Sequence, residues 1–192
     1  ANWRREAEPM GYMIYGYLIQ FLFWIPLTIL FLRIALPLVR APFSDPMVGW
    51  VYSVTTPVLR PVEKIVPRWR NLSLAAVLLF WLVASLEQAL LMLFSRNLLV
   101  WLLGGLAGAI SFALGFMIVV IFVWVLFTFF QPRAGSSIVS IVQRLASPIC
   151  NVFRRRIPAI GPFDLSPALA IFTLTILRLI VPWAIYSLIQ GP

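Results

Sequence analysis

The chain has 192 residues, 62% of them hydrophobic and 11% charged, with a net charge of +9. A soluble domain carries roughly a quarter charged residues, so water is excluded as the solvent for most of this surface. One cysteine, Cys150, and no histidine exclude an intrachain disulfide, a CxxC pair and the commonest general base, metal ligand and haem ligand.

The long unbroken apolar runs, without short alternating segments, predict an all-α membrane protein rather than a membrane β-barrel. No cofactor, metal or enzymatic activity is expected. The arginines flank apolar spans, which points to membrane topology and anionic lipid headgroups as the reason for the charge; direct nucleic-acid contact is not expected.

Four runs are long enough to cross roughly 30 Å of hydrocarbon at about 1.5 Å per residue. The first, 12–39, follows "ANWRREAEPM" and lacks a small-residue cleavage site, so it reads as a retained span kinked at Pro26. Segment 44–67 places Val58, Val62, Ile65 and Val66 on one face beyond Pro57, an interfacial amphipathic pattern. The second span covers 72–94. The run 98–130 is too long for one straight crossing, so a short outer turn before Gly104 and Gly105 and a crossing over 108–130 are expected. Segment 136–158 is more strongly amphipathic. Ile138, Ile141, Val142, Leu145, Ile149, Val152 and Phe153 recur at helical spacing, with a bend predicted at Pro148. It suits either the headgroup boundary or the end of the helix bundle. The fourth span covers 165–188, with Ser166 and Pro167 as cap and first helical residue and Asp164 at the positive end of the dipole. Tryptophans near span ends, including Trp3, Trp50, Trp69, Trp101 and Trp183, read as interface anchors.

The chain states its organisation twice. In "TPVLRPVEKIVP" and "SPICNVFRRRIP", Pro57 matches Pro148 and Pro67 matches Pro158, each pair 91 positions apart. Residues 1–95 and 96–192 thus read as two repeats, each span, interfacial helix, span. An even number of crossings per repeat makes the copies parallel, about an axis along the membrane normal. Ten basic residues lie in the two connecting segments: Arg40, Arg60, Lys64, Arg68 and Arg70, then Arg133, Arg144, Arg154, Arg155 and Arg156. Only Arg4, Arg5 and Arg96 lie near span ends on the other side. That asymmetry places both amphipathic segments on the cytoplasmic face and both termini outside.

At "LFLRIALPLV" and the paired blocks "SDPMVGWVYSVTTPVLRPVEKIVP" and "SSIVSIVQRLASPICNVFRRRIPAIGPFDLSPAL" the chain resembles the YggT family of small bacterial membrane proteins, with its plastid YlmG relatives. The likeness covers about residues 28–187; "RWRNLSL" departs from it where the family more often has a glycine-containing turn and an acid. The resemblance implies a bacterial inner-membrane protein, or alternatively one of the plastid thylakoid. It also implies links to division, envelope organisation, cytochrome-complex assembly or osmotic tolerance, and no enzymatic activity.

Three ionisable residues fall inside spans: Arg33, Glu87 and Arg178. Each costs at least ~2.5 kcal/mol near mid-membrane unless it finds a partner or an interface. Arg33, the arginine of the family's "LRI", is expected to anchor at the inner boundary by snorkelling. Glu87 and Arg178 lie at similar depth in equivalent spans, so a Glu87–Arg178 ion pair is expected, joined by Ser85 or Gln88; the alternative sends Glu87 to the outer interface and pairs Arg178 with backbone carbonyls. Gly104 and Gly108, with Ser111 and Gly115, form rows for close helix packing. Arg60, Lys64, Arg68, Arg70, Arg144, Arg154, Arg155 and Arg156 are the headgroup and topology residues. These features predict a non-enzymatic assembly factor, scaffold or accessory subunit with other membrane proteins as partners. The alternative is a small ion or solute channel or transporter. A lipid-modifying enzyme would have only Asp45 and Asp164 to work with, in non-equivalent places.

Overall fold

The computed structural model describes residues 3–64, 66, 72–92, 98–130, 136–156 and 164–190, with side chains from residue 11 to 187 of those segments. They form six helices: α1 (Trp3–Leu38), α2 (Pro46–Glu63), α3 (Leu74–Leu91), α4 (Leu98–Phe130), α5 (Ser137–Arg154) and α6 (Ser166–Gln190). α1, α3, α4 and α6 are long and apolar enough to cross a membrane. The all-α, four-span expectation holds.

Side-chain oxygens set the helix starts. Asp45 accepts the Met47 N–H at 3.0 Å ahead of Pro46 in α2, and Ser73 accepts the Ala76 N–H at 3.3 Å in α3. At α6 the expected cap moves: Ser166 is already helical and donates its N–H to the Asp164 carboxylate at 2.9 Å. A charged acceptor two residues upstream is the stronger cap. α1 ends with Arg40 at φ 52, its N–H bonded to Pro37 O and that of Ala41 to Leu36 O. That is a left-handed helix stop held by a residue other than glycine.

One expected break is absent. α4 runs unbroken through Gly104 and Gly105 for 33 residues. At about 1.5 Å per residue it spans nearly 50 Å, so it tilts in a bilayer or projects beyond it. α5 is one helix through Pro148, as α2 is through Pro57 and Pro61.

α4 is the centre of the bundle. α3 and α6 both pack on it, α1 packs on α3 and α2, and α5 packs on α4 and α6. Phe23, Leu27 and Leu30 of α1 meet Phe80 and Ala84 of α3 and Ala109 of α4. A second cluster joins Leu36, Val48, Val51, Val120, Ile121, Ile141, Leu145, Ala170 and Leu174.

α2 and α5 touch each other and lie at the same end of the bundle. α5 buries Ile141, Leu145, Ala146 and Cys150 against the spans and leaves Ile138 and Val152 exposed, so it both packs on the bundle and presents an apolar edge. For α2 the expected face holds in part. Val62 and Val66 pack with Leu59 against the start of α3, and the buried face continues through Val48, Val51 and Thr55, whereas Val58 is 54% exposed and Ile65 lies outside the described residues. Because the helix starts at Pro46, its helical register is fixed well before Pro57.

Candidate functional site: paired polar nodes and a mid-span arginine

In the first half, Arg33 of α1 is only 5% exposed. Its guanidinium carbon lies 3.5 Å from the centre of the Tyr52 ring of α2, and Nη2 is 3.7 Å from Glu63 Oε1 at the end of the same helix. The Ser73 hydroxyl, at the start of α3, donates to that Glu63 oxygen at 3.4 Å. Arg33 therefore does not snorkel. α2 lies over it, removes its water and supplies the aromatic face and the carboxylate that a desolvated cation requires.

The second half has a node at positions 91 further on, with the chemistry permuted. Trp124 stands where Arg33 does, Arg154 where Glu63 does, and Asp164 where Ser73 does. Arg154 donates through Nε at 3.1 Å and through Nη2 to Asp164 Oδ2, and lies 6.0 Å from the Trp124 ring centre. Each node joins a span, the following amphipathic helix and the start of the next span. Asp45 adds a tie between the amphipathic helices themselves, accepting from Ser137 Oγ and from Ser140 Oγ, the latter at 3.5 Å.

Burial acts to raise the Asp164 pKa, but the hydrogen bonds from Arg154 and Ser166 outweigh it and hold the carboxyl below its ordinary value. Such a group contributes stability that is present above the unfolded pKa of roughly 3.9 and is lost as pH falls through the lower folded value. Asp164→Asn should accordingly flatten the acid limb of the stability curve below about pH 4, read from unfolding midpoints in detergent. An unchanged acid limb would show that Asp164 is not the group responsible.

Arg60, Lys64, Arg144, Arg155 and Arg156 are exposed at this end of the bundle, and Arg154 is half-exposed. Arg68 and Arg70 lie outside the described residues, as do the repeat-ending Pro67 and Pro158.

The small residues of α4 divide between two neighbours. A Cβ on Gly105 would stand 2.5 Å from the Ser85 Cα and 2.0 Å from its Oγ, so the α3 backbone rests directly on this glycine. Gly104 and Gly108 lie under Gln88, and Gly104 also under Tyr186 of α6, whose hydroxyl donates to Gln88 Oε1 at 3.5 Å. Gly115 receives the guanidinium of Arg178, 3.1 Å from where its Cβ would be. Ser111 is half-buried between them.

Glu87 and Arg178 are not brought together. α3 and α6 both pack on α4 and not on each other. Only long side chains, Gln88 and Tyr186, reach across the glycines. Ser85 does not bridge the two either, since it donates to Trp81 O in its own helix. Glu87 is half-buried on α3; Arg178 is exposed on α6. The similar depth expected from the sequence does not hold either: Tyr186 stands level with Gln88 at Gly104, whereas Arg178 lies eight residues further back along α6, at Gly115.

The CCB3/YggT family model matches residues 12–94 and again residues 103–185, two stretches offset by the same 91 positions as the prolines and the nodes. The chain belongs to the CCB3/YggT family. Among its relatives is a Vibrio alginolyticus protein described as an uncharacterised protein in the proC 3′ region, 32% identical over 79% of this chain and 84% of the relative. An uncharacterised Haemophilus influenzae protein is 30% identical over 78% and 81% of the two chains. The Escherichia coli K12 protein YggT is 23% identical over 79% and 80%. No solved structure matches the chain.

For this CCB3/YggT chain the sequence reading missed Tyr52, Glu63, Trp124 and Gly105. The 91-residue offset, applied position by position to Arg33, would have pointed to Trp124 and so to a shared node. Nothing in the sequence distinguishes Gly105 from Gly104, because their difference lies in which way each faces on α4.

Proposed function

We propose that this CCB3/YggT chain is a non-enzymatic scaffold or accessory subunit of a larger assembly in the bacterial cytoplasmic membrane. The observation that carries this reading is how the carboxylates are used. Asp45, Glu63 and Asp164 each tie two helices together. A carboxylate engaged in tying helices is not available to a substrate. The half-open cleft of about 140 Å³ between α1, α2, α4 and α5, bordered by Leu32, Leu36, Val51, Val120, Ile141 and Leu145, is lined by apolar side chains alone, as expected of a dry packing gap rather than a water path.

In this reading α2 and α5 form a rigid basic shelf on the cytoplasmic face, as two parallel repeats require. Exposed Arg60, Lys64, Arg144, Arg155 and Arg156 rest on anionic headgroups, each worth about 1 kcal/mol near such a surface. The spans stay free to meet other subunits. Among the described residues α6 packs mainly on α4 and α5, and just 11% of its apolar window is buried.

Solubilising native membranes in mild detergent and sizing the chain tests this. It should travel in an assembly well above its own 21.8 kDa, and deleting it should change the mass of at least one native complex. Recovery as a free monomer alone would remove the reading.

A further inference from the structure

We propose that the cleft beside Arg178 receives a transmembrane helix of another membrane protein that carries an aspartate or glutamate at mid-depth. This inference rests on the accessory-subunit reading and names the chemistry of the partner.

Arg178 is the midpoint of α6, twelve residues from Ser166 and twelve from Gln190. At about 1.5 Å per residue both ends are some 18 Å away, farther than an arginine can snorkel. The side chain is exposed, and among the described residues no ion pair or hydrogen bond reaches it. It lies flat on the bare backbone of Gly115, so its position is set by packing. It borders a cleft of about 320 Å³, whose other walls include Trp24 of α1, Phe116 and Val119 of α4 and Val142 of α5. An apolar wall with one fixed cation at mid-membrane is complementary to an apolar helix with one carboxylate. Lipid phosphates stay at the headgroup level and do not reach this depth. A second copy of the chain is a poor occupant, because its one carboxylate within a span, Glu87, is half-buried and only four residues from the end of α3, not at mid-depth.

The test uses the full chain in phosphatidylcholine vesicles and two synthetic polyleucine helices of about twenty residues, one with a central aspartate and one without. Energy transfer between labelled chain and peptide should show at least about tenfold tighter association with the aspartate peptide, the scale of one buried charge pair. Arg178→Gln should abolish the preference and Arg178→Lys retain part of it. Val119→Trp, which fills the cleft and leaves the charge in place, should weaken association with both peptides and covers the case in which Arg178→Gln fails to fold.

Equal binding of the two peptides by the wild-type chain, or a preference that survives Arg178→Gln, overturns the proposal. So does Arg178-dependent self-association, or Arg178-dependent chloride flux, without a peptide preference. If the preference is absent while the chain still travels in a larger native assembly, this inference falls and the accessory-subunit reading stands. A monomer in native membranes removes that reading independently.

Discussion

Replacing Gly105 by alanine is expected to lower the unfolding midpoint of the chain in detergent, by about 1–3 kcal/mol, the usual range for overpacking a well-filled contact. The added methyl would meet the Ser85 Cα at 2.5 Å. Backbone cannot rotate away as a side chain can, so α3 and α4 must separate. The gain in helix propensity on replacing glycine, about 0.5–1 kcal/mol, is too small to offset this. Gly104→Ala is the control. It meets nothing closer than 3.9 Å and should be neutral or slightly stabilising. Gly108→Ala should fall between them, since the Gln88 amide nitrogen at 3.2 Å can move aside. Tryptophan fluorescence during thermal unfolding would rank the three. If Gly105→Ala melts no earlier than Gly104→Ala, the α3 backbone does not rest on Gly105.

Glu63→Gln should cost about 3 kcal/mol, at the low end for breaking a buried ion pair, because Arg33 keeps its charge and its place under α2. Glutamine preserves the shape and an acceptor for Ser73, which isolates the charge. The double variant Arg33→Met with Glu63→Gln should recover most of the loss, since no uncompensated cation is left buried. A double-mutant cycle in the same unfolding assay gives the coupling, and strict additivity would show that the two side chains do not act as a pair. The counterpart in the second half should behave differently. Arg154 is 50% exposed and Asp164 28%, so Arg154→Gln should cost no more than about 1 kcal/mol. The nodes thus occupy equivalent places with unequal weight. Only the first traps a cation away from water.

The same contrast shows which features could be read from the chain. Long apolar runs cross a bilayer because no other solvent will take them, and that depends on composition and length alone. The amphipathic periods of α5 and the 91-residue offset are likewise one-dimensional signals, and the helices and the two family matches fall where they point. The continuity of α4 through its glycines was not legible. Glycine is weak in an isolated helix, yet here Gly105 is where the α3 backbone makes contact.

The sequence by itself determined that the chain is helical, has four helices long and apolar enough to cross a membrane and carries a basic bias on the segments between them. Only the tertiary structure decided which polar groups meet: Arg33 with Tyr52 and Glu63, Arg154 with Asp164, and Arg178 with a glycine rather than with Glu87. The reason is physical. Crossing a bilayer is favoured residue by residue, whereas a partner for a charge depends on how far each helix is slid along its neighbour, and seating Gln88 and Tyr186 at Gly104 but Arg178 at Gly115 is a property of the packed bundle.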